Sequence, residues 1–143
     1  MIKLIDCISP SQIDDVNNIL HDCWFSISDI SYDNNILVIP FEYIKYSGDN
    51  VVKRFFIIKK QCLPVYQANL YIHHVVRYDI SDKWQIDKYD FNVLFYDENV
   101  NSITITTGCS NEITIDICHF NIHVDITDKI LRYKNCYSIW PFY

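Results

Sequence analysis

Tyr89-Asp-Phe-Asn-Val-Leu-Phe-Tyr-Asp-Glu-Asn-Val-Asn-Ser-Ile-Thr-Ile-Thr-Thr107 decides the fold class. Tyr89, Phe91, Val93 and Phe95 alternate with Asp90, Asn92 and the more apolar Leu94 and Tyr96, a period of two that suits a strand with one covered face. Asp97-Glu-Asn-Val-Asn101 supplies turn residues, after which Ile103, Ile105 and Thr107 resume the alternation. The pattern is a β-hairpin, and the rest of the chain repeats its logic.

Upstream, Leu70 to Ile80 reads as one strand, with Leu70, Ile72, His74, Val76, Tyr78 and Ile80 on the core face and His73, Arg77 and Asp79 toward water. On that reading His74 is a core histidine. Val51 to Lys60 is a further strand, apolar on both faces at Phe55 to Ile58, and Cys62-Leu-Pro64 is expected to break regular structure after it. Phe25 to Tyr32 and Ile36 to Tyr43 form a hairpin around Asp33-Asn-Asn35, where Asn and Asp accept left-handed backbone angles. Downstream, Ile113, Ile115 and Ile117 are odd whereas Phe120, Ile122, Val124 and Ile126 are even, so a bulge or bend is expected near Cys118-His119. The last residues, with Tyr133, Tyr137, Trp140, Phe142 and Tyr143, are too aromatic for a solvated tail and are expected to dock on the body.

One helix precedes the strands. Ser9 stands at the N-cap, Pro10 at the first position and Gln12 three residues after the cap, and Ile13, Val16 and Leu20 then form one apolar stripe, which predicts a helix over 10–20. About eight strands without helical crossovers predict a mainly β fold: an antiparallel β-sandwich or partly open barrel with the N-terminal helix against one face or end, a helix-capped curved sheet being the alternative. The 143 residues are read as a single globular domain; the size scaling has folding remove roughly 17,000 Å² of surface, enough for one core.

Half the residues are hydrophobic and 21% are charged, which excludes disorder and low complexity. The longest apolar runs, such as Ile36 to Phe41, fall far short of the ~20 residues of a membrane span, and Met1-Ile-Lys-Leu-Ile-Asp6 lacks a signal-peptide core, so a cytoplasmic chain is expected. Cys7, Cys23, Cys62, Cys109, Cys118 and Cys136 are widely spaced without a CxxC pair and read as reduced thiols. The net charge of −6, from 18 acidic and 12 basic residues, disfavours nucleic acid, because such affinity comes from Lys and Arg displacing counterions; it suits a basic protein partner. No membrane and no cofactor are expected.

Chemistry-bearing motifs are sparse. With only Gly48 and Gly108 there is no glycine-rich phosphate loop, and neither GxSxG nor HExxH occurs. His119, His123 and Asp125 could share a strand face and are the weak candidates for a metal site, although HxxxH on a strand separates the outer pair by about 13 Å. Cys118 beside His119 is the nearest thiol and imidazole in sequence, but catalytic pairs meet in space rather than in sequence. Asp14-Asp15 and Asp97-Glu98 read as solvated helix and turn residues.

The most distinctive string, His21-Asp-Cys-Trp-Phe25 followed by Asp29-Ile30, falls where helix gives way to sheet. Trp24 or Phe25 should anchor the helix, and Asp22 should pair with His21 or cap a turn. The candidate interaction residues are His21, Asp22, Trp24, Tyr137 and Trp140. Together with Ile36-Leu-Val-Ile-Pro-Phe-Glu42, Tyr89 to Asp97 and Ile103-Thr-Ile-Thr-Thr-Gly108, this string resembles a group of small uncharacterised bacterial proteins with an HDxxF and DI opening. The resemblance implies a compact bacterial domain and no activity. Three functional readings follow: a non-enzymatic binding or interaction domain, of which an immunity-type protein covering a basic toxin is the specific version; a metal-assisted or small-molecule enzyme using the late histidines; and a homo-oligomer joined through the C-terminal aromatic stretch or an edge strand near Val51 to Ile58.

Overall fold

A computed structural model describes residues 3–45, 51–55 and 58–139, with side chains within 3–45 and 60–136. The fold is mostly β and antiparallel, with one α-helix near the N-terminus and a sheet that does not close on itself. Eleven strands are formed among the described residues: β1 (Lys3–Cys7), β2 (Trp24–Ser26), β3 (Ser31–Asp33), β4 (Ile36–Ile44), β5 (Val51–Phe55), β6 (Ile58–Ile72), β7 (Val75–Ile80), β8 (Lys88–Asp97), β9 (Ser102–Thr107), β10 (Glu112–Ile117) and β11 (Ile122–Ile139). Their order is β1-β11-β6-β4-β2-β8-β9-β10-β7, with β3 beside β4 and β5 beside β6.

The sheet folds over on itself. Leu37, Ile39, Leu70, Ile72, Val124 and Ile126 from one half join Ile103, Ile105, Ile113 and Ile115 from the other in a single buried cluster. Each such aliphatic side chain contributes about 1.5–3 kcal/mol by leaving water. Phe25 on β2 sits at the fold line, stacked on Phe91 at 4.4 Å.

Two crossings link the halves, and they lie side by side. β6 ends at Ile72 and β7 begins at Val75, while β10 ends at Ile117 and β11 begins at Ile122. The His73 N–H donates to the Asn121 carbonyl (2.9 Å) and the Cys118 N–H to the His74 carbonyl (3.0 Å), so each corner satisfies the other's backbone. The single strand expected over 70–80 is therefore two strands in opposite halves of the sheet, β6 third and β7 last in its order. His74, at φ 57, makes the turn and is exposed rather than in the core. The phase change expected near Cys118-His119 is the partner corner, the bend rather than the bulge of the two expected forms.

Other elements shift in detail. The first expected strand, 25–32, is interrupted by a 3₁₀ turn at Ile27–Asp29, but its hairpin with β4 forms about Asn34 and Asn35, both left-handed at φ 51 and φ 62. Val51 to Lys60 is not one strand: β5 pairs back on β6 with Phe55 opposite Ile58. Cys62-Leu-Pro64 breaks nothing, since β6 runs through it with Pro64 opposite Tyr133 of β11. The helix begins as a 3₁₀ turn at Pro10–Gln12 and becomes α1 over Ile13–Leu20. The expected capping box of Ser9 and Gln12 is present; the Gln12 side-chain oxygen accepts the backbone N–H groups of Ile8 and Ser9 (3.0 and 3.2 Å), and the Ser9 hydroxyl meets that of Ser11. Val16, Ile19 and Leu20 bury its apolar stripe.

Candidate functional site

His21, Asp22, Cys23 and Trp24 form one wall of a groove of about 740 Å³. α1 stops at His21, and Asp22 turns the chain in the left-handed region (φ 64), which Asp tolerates better than most residues. The turn is fastened by backbone bonds: Asp22 N–H donates to the Phe91 carbonyl (3.1 Å), and Phe91 N–H to the Cys23 carbonyl (2.9 Å). His21 Nδ1 lies 3.1 Å from Asp22 Oδ2 at the surface. The alternation of β2 then sends Phe25 inward, 3% exposed, and leaves Trp24 outside, 42% exposed. Phe25 is thus the buried member of the pair, and Trp24 stands at the groove.

The opposite wall comes from β4 and β11. Glu42 accepts a two-pronged contact from Arg132 at 2.8 and 2.6 Å, reaching across β6, and Lys88 Nζ stands 3.7 Å away. The guanidinium hydrogen bonds, then its charge and that of Lys88, hold the Glu42 carboxyl below its ordinary range against the opposing effect of burial. Lys45, Tyr43, Tyr133 and Lys134 complete the rim. Four cations and two carboxylates face this groove, so it is locally basic in an acidic protein. The Cys23 thiol inside it donates to the Ile19 carbonyl at 3.2 Å, and burial followed by Asp22 pushes its pKa to about 12. That thiol is unsuited to nucleophilic work.

His119, His123 and Asp125 are not brought to one point. His119 lies in the β10–β11 corner, its ring 5.2 Å from that of His74. His123, on β11, stacks on Tyr71 at 4.4 Å, and its Nδ1 is 3.3 Å from His73 Nε2. Asp125 has a buried Oδ1 with no hydrogen-bond partner. No three His, Cys, Asp or Glu side chains among the described residues converge as metal ligands. Tyr137 is placed in β11 opposite Lys60, with its side chain outside the described set, and Trp140 lies outside the described residues altogether.

A second surface was not singled out by motif. On the outer face of the β8–β9–β10–β7 half, Phe95, Thr104, Thr114 and Asp79 form one cross-strand row, and Val93, Thr106 and Glu112 form the next. Phe95 and Val93 are 46% and 41% exposed, and Trp84 beside this half is 56% exposed with its indole N–H donating to the Cys109 carbonyl at 2.8 Å. Its sequence signal was the surplus of apolar residues on both parities of 91–96. No helix among the described residues is long and apolar enough to cross a membrane. Comparison of the chain with protein-family models, with curated proteins and with solved structures finds no match.

Proposed function

We propose that this chain is a non-enzymatic protein-binding domain, and that its acidic outer face over β8, β9, β10 and β7 receives a basic protein partner. One observation carries the reading: exposed Phe95 and Val93 lie in cross-strand rows that end at the carboxylates of Asp79 and Glu112. Outside residues 45–60 and 129–139 the chain holds seventeen carboxylates and only four Lys or Arg. One of those four, Arg77, is already paired with Asp116 at 2.7 Å. Phe95, Val93 and Trp84 supply desolvatable contact area, while the surrounding charge steers an approaching cationic surface. Covering a basic toxin, as an immunity protein does, is the specific version this face suits. The metal-assisted alternative has less support, since His119 and His123 pair with different neighbours.

The test is a titration of the folded chain with a lysine-rich peptide carrying one aromatic residue, followed by backbone amide NMR. Shifts should map to Val93, Phe95, Thr104, Thr114 and Asp79, and should vanish in an Asp79→Lys, Glu112→Lys variant. Shifts confined to the groove around Trp24 and Glu42, or a variant that binds as well as the parent, would refute the assignment.

A further inference from the structure

β7 ends the sheet order, and its outer edge pairs with no strand among the described residues. The turn between β3 and β4 closes only its start. There the Val75 N–H donates to the Asn35 carbonyl (2.9 Å), and the Val75 carbonyl accepts the Tyr32 hydroxyl (2.8 Å). The Tyr32 ring also packs on that of Tyr78 at 5.0 Å, a side-chain contact that takes up no backbone group. Further along, the ladder fixes which groups are left over. Ser81 N–H donates to the Glu112 carbonyl (3.4 Å), so the mutually bonded pairs of β7 and β10 are Asp79 with Thr114 and Arg77 with Asp116. The N–H and C=O groups of Tyr78 and Ile80 therefore point away from β10, toward the open edge. Val76, Arg77, Tyr78 and Asp79 are all exposed, Val76 at 65%. Val76 to Ile80 contains neither Pro nor Lys, residues that commonly blunt such an edge.

We propose that this edge pairs with the β7 edge of a second copy of the chain, antiparallel, about a two-fold axis at Tyr78. Charge complementarity selects both the occupant and the register. With Tyr78 opposite its own copy, Arg77 of each chain faces Asp79 of the other, and Val76 faces Ile80. A shift by two residues sets Arg77 against Arg77 or Asp79 against Asp79, and like charges directly opposite repel. A shift by one puts the side chains on the wrong faces. The Arg77 side chain is 81% exposed, and its Nε and Nη2 both donate to Asp116 Oδ2 (3.0 and 2.7 Å). Its Nη1 is left to meet a carboxylate across the axis. The other terminal strand, β1, offers no such register, because Lys3 and Asp6 lie on opposite faces of it. The interface is self-complementary, so assembly closes at two copies. It joins the β8–β9–β10–β7 faces of both copies into one surface; it neither needs a basic protein partner nor covers Phe95 and Val93.

Sedimentation equilibrium of the full chain at up to about 1 mM tests it, since one strand pair is a small interface. Backbone amide exchange at the two ends of that concentration range reads the register. A dimer is expected, and in it the Tyr78 and Ile80 amides exchange more slowly than in the dilute monomer. Asp79→Arg leaves the contact of Arg77 with Asp116 in place and should weaken the dimer about tenfold or more, with an unchanged far-ultraviolet circular dichroism spectrum. Arg77→Asp should weaken it likewise. An equal mixture of the two variants should recover a dimer, because acids at both positions of one chain then face Arg at both positions of the other. A monomer throughout the range, a dimer whose Tyr78 and Ile80 amides exchange as in the monomer, a dimer indifferent to Asp79→Arg, or a mixture of folded variants that stays monomeric overturns the proposal. The first two outcomes are read on the parent chain and do not depend on either variant folding.

Discussion

The side-chain amide of Asn17 stands where a neighbouring strand would stand. Its Nδ2 donates to the Leu94 carbonyl and its Oδ1 accepts the Leu94 N–H, both at 2.8 Å, joining α1 to the edge of β8 after β2 has ended. Asn17→Ala should cost about 1–3 kcal/mol in chemical denaturation, because it leaves two backbone groups of a buried residue unpaired. Thiol chemistry separates the cysteines just as sharply. Cys109 and Cys118 are exposed, whereas burial raises Cys7 to about 11 and Cys23 to about 12. Labelling of the native chain with a disulfide reagent should mark Cys109 and Cys118 first, and modification of Cys23 as fast as Cys118 would contradict the groove geometry. At this scale the sequence was legible where the constraint is local. Asp22 meets His21 in the turn, as its neighbour in the chain suggests. Asn17 was not legible, because its partner is seventy-seven residues away.

At the scale of elements, alternation identified strands reliably but could not show where one strand becomes two. Tyr89 to Thr107 formed a hairpin, but a register shift between Phe91 and Val93 turned Leu94 inward and left Val93 and Phe95, expected on the covered face, exposed; Asn34-Asn35 turned the earlier hairpin. Leu70 to Ile80 alternates without a visible interruption, yet it is divided at His74, because a left-handed backbone angle leaves no mark on hydrophobic period when the residue is not Gly, Asn or Asp. The division sends β6 and β7 to opposite halves of the sheet. His74→Gly should therefore be neutral or slightly stabilising, while His74→Val should lose about 1–2 kcal/mol, since a β-branched residue at positive φ is strained. Thermal unfolding of the two variants checks the corner; equal stability would mean that residue 74 does not need this conformation. Gly108 makes a related demand without an unusual φ. A Cβ there would come within 2.7 Å of Asp90 Oδ1, which already accepts the Gly108 N–H. Gly108→Ala should move that carboxylate and cost about 1 kcal/mol, the worth of the hydrogen bond.

For the whole molecule, folding makes His73 harder to protonate. Burial is the leading cause of its lowered pKa, followed by repulsion from His123 and His74, with Asp6 of β1 acting in the opposite sense. The unfolded chain binds a proton at this histidine more readily, so stability should fall as pH drops below the ordinary value of 6.5 and level off once pH passes beneath the depressed folded value. His73→Asn should flatten that step in denaturation curves between about pH 7 and pH 5. A step of unchanged size would place its origin elsewhere. The carboxylate of Glu42, held low by Arg132, adds its own loss only below its ordinary 4.5. Composition and period by themselves determined the mainly β class, the antiparallel pairing and the position of the one helix, because each is written in neighbours a few residues apart. The tertiary structure alone decided that the groove behind Trp24 unites α1, β4 and β11 and that the late histidines pair with separate partners. Those features depend on which distant strands become adjacent, and adjacency across a folded-over sheet is set by the shared burial of many side chains at once.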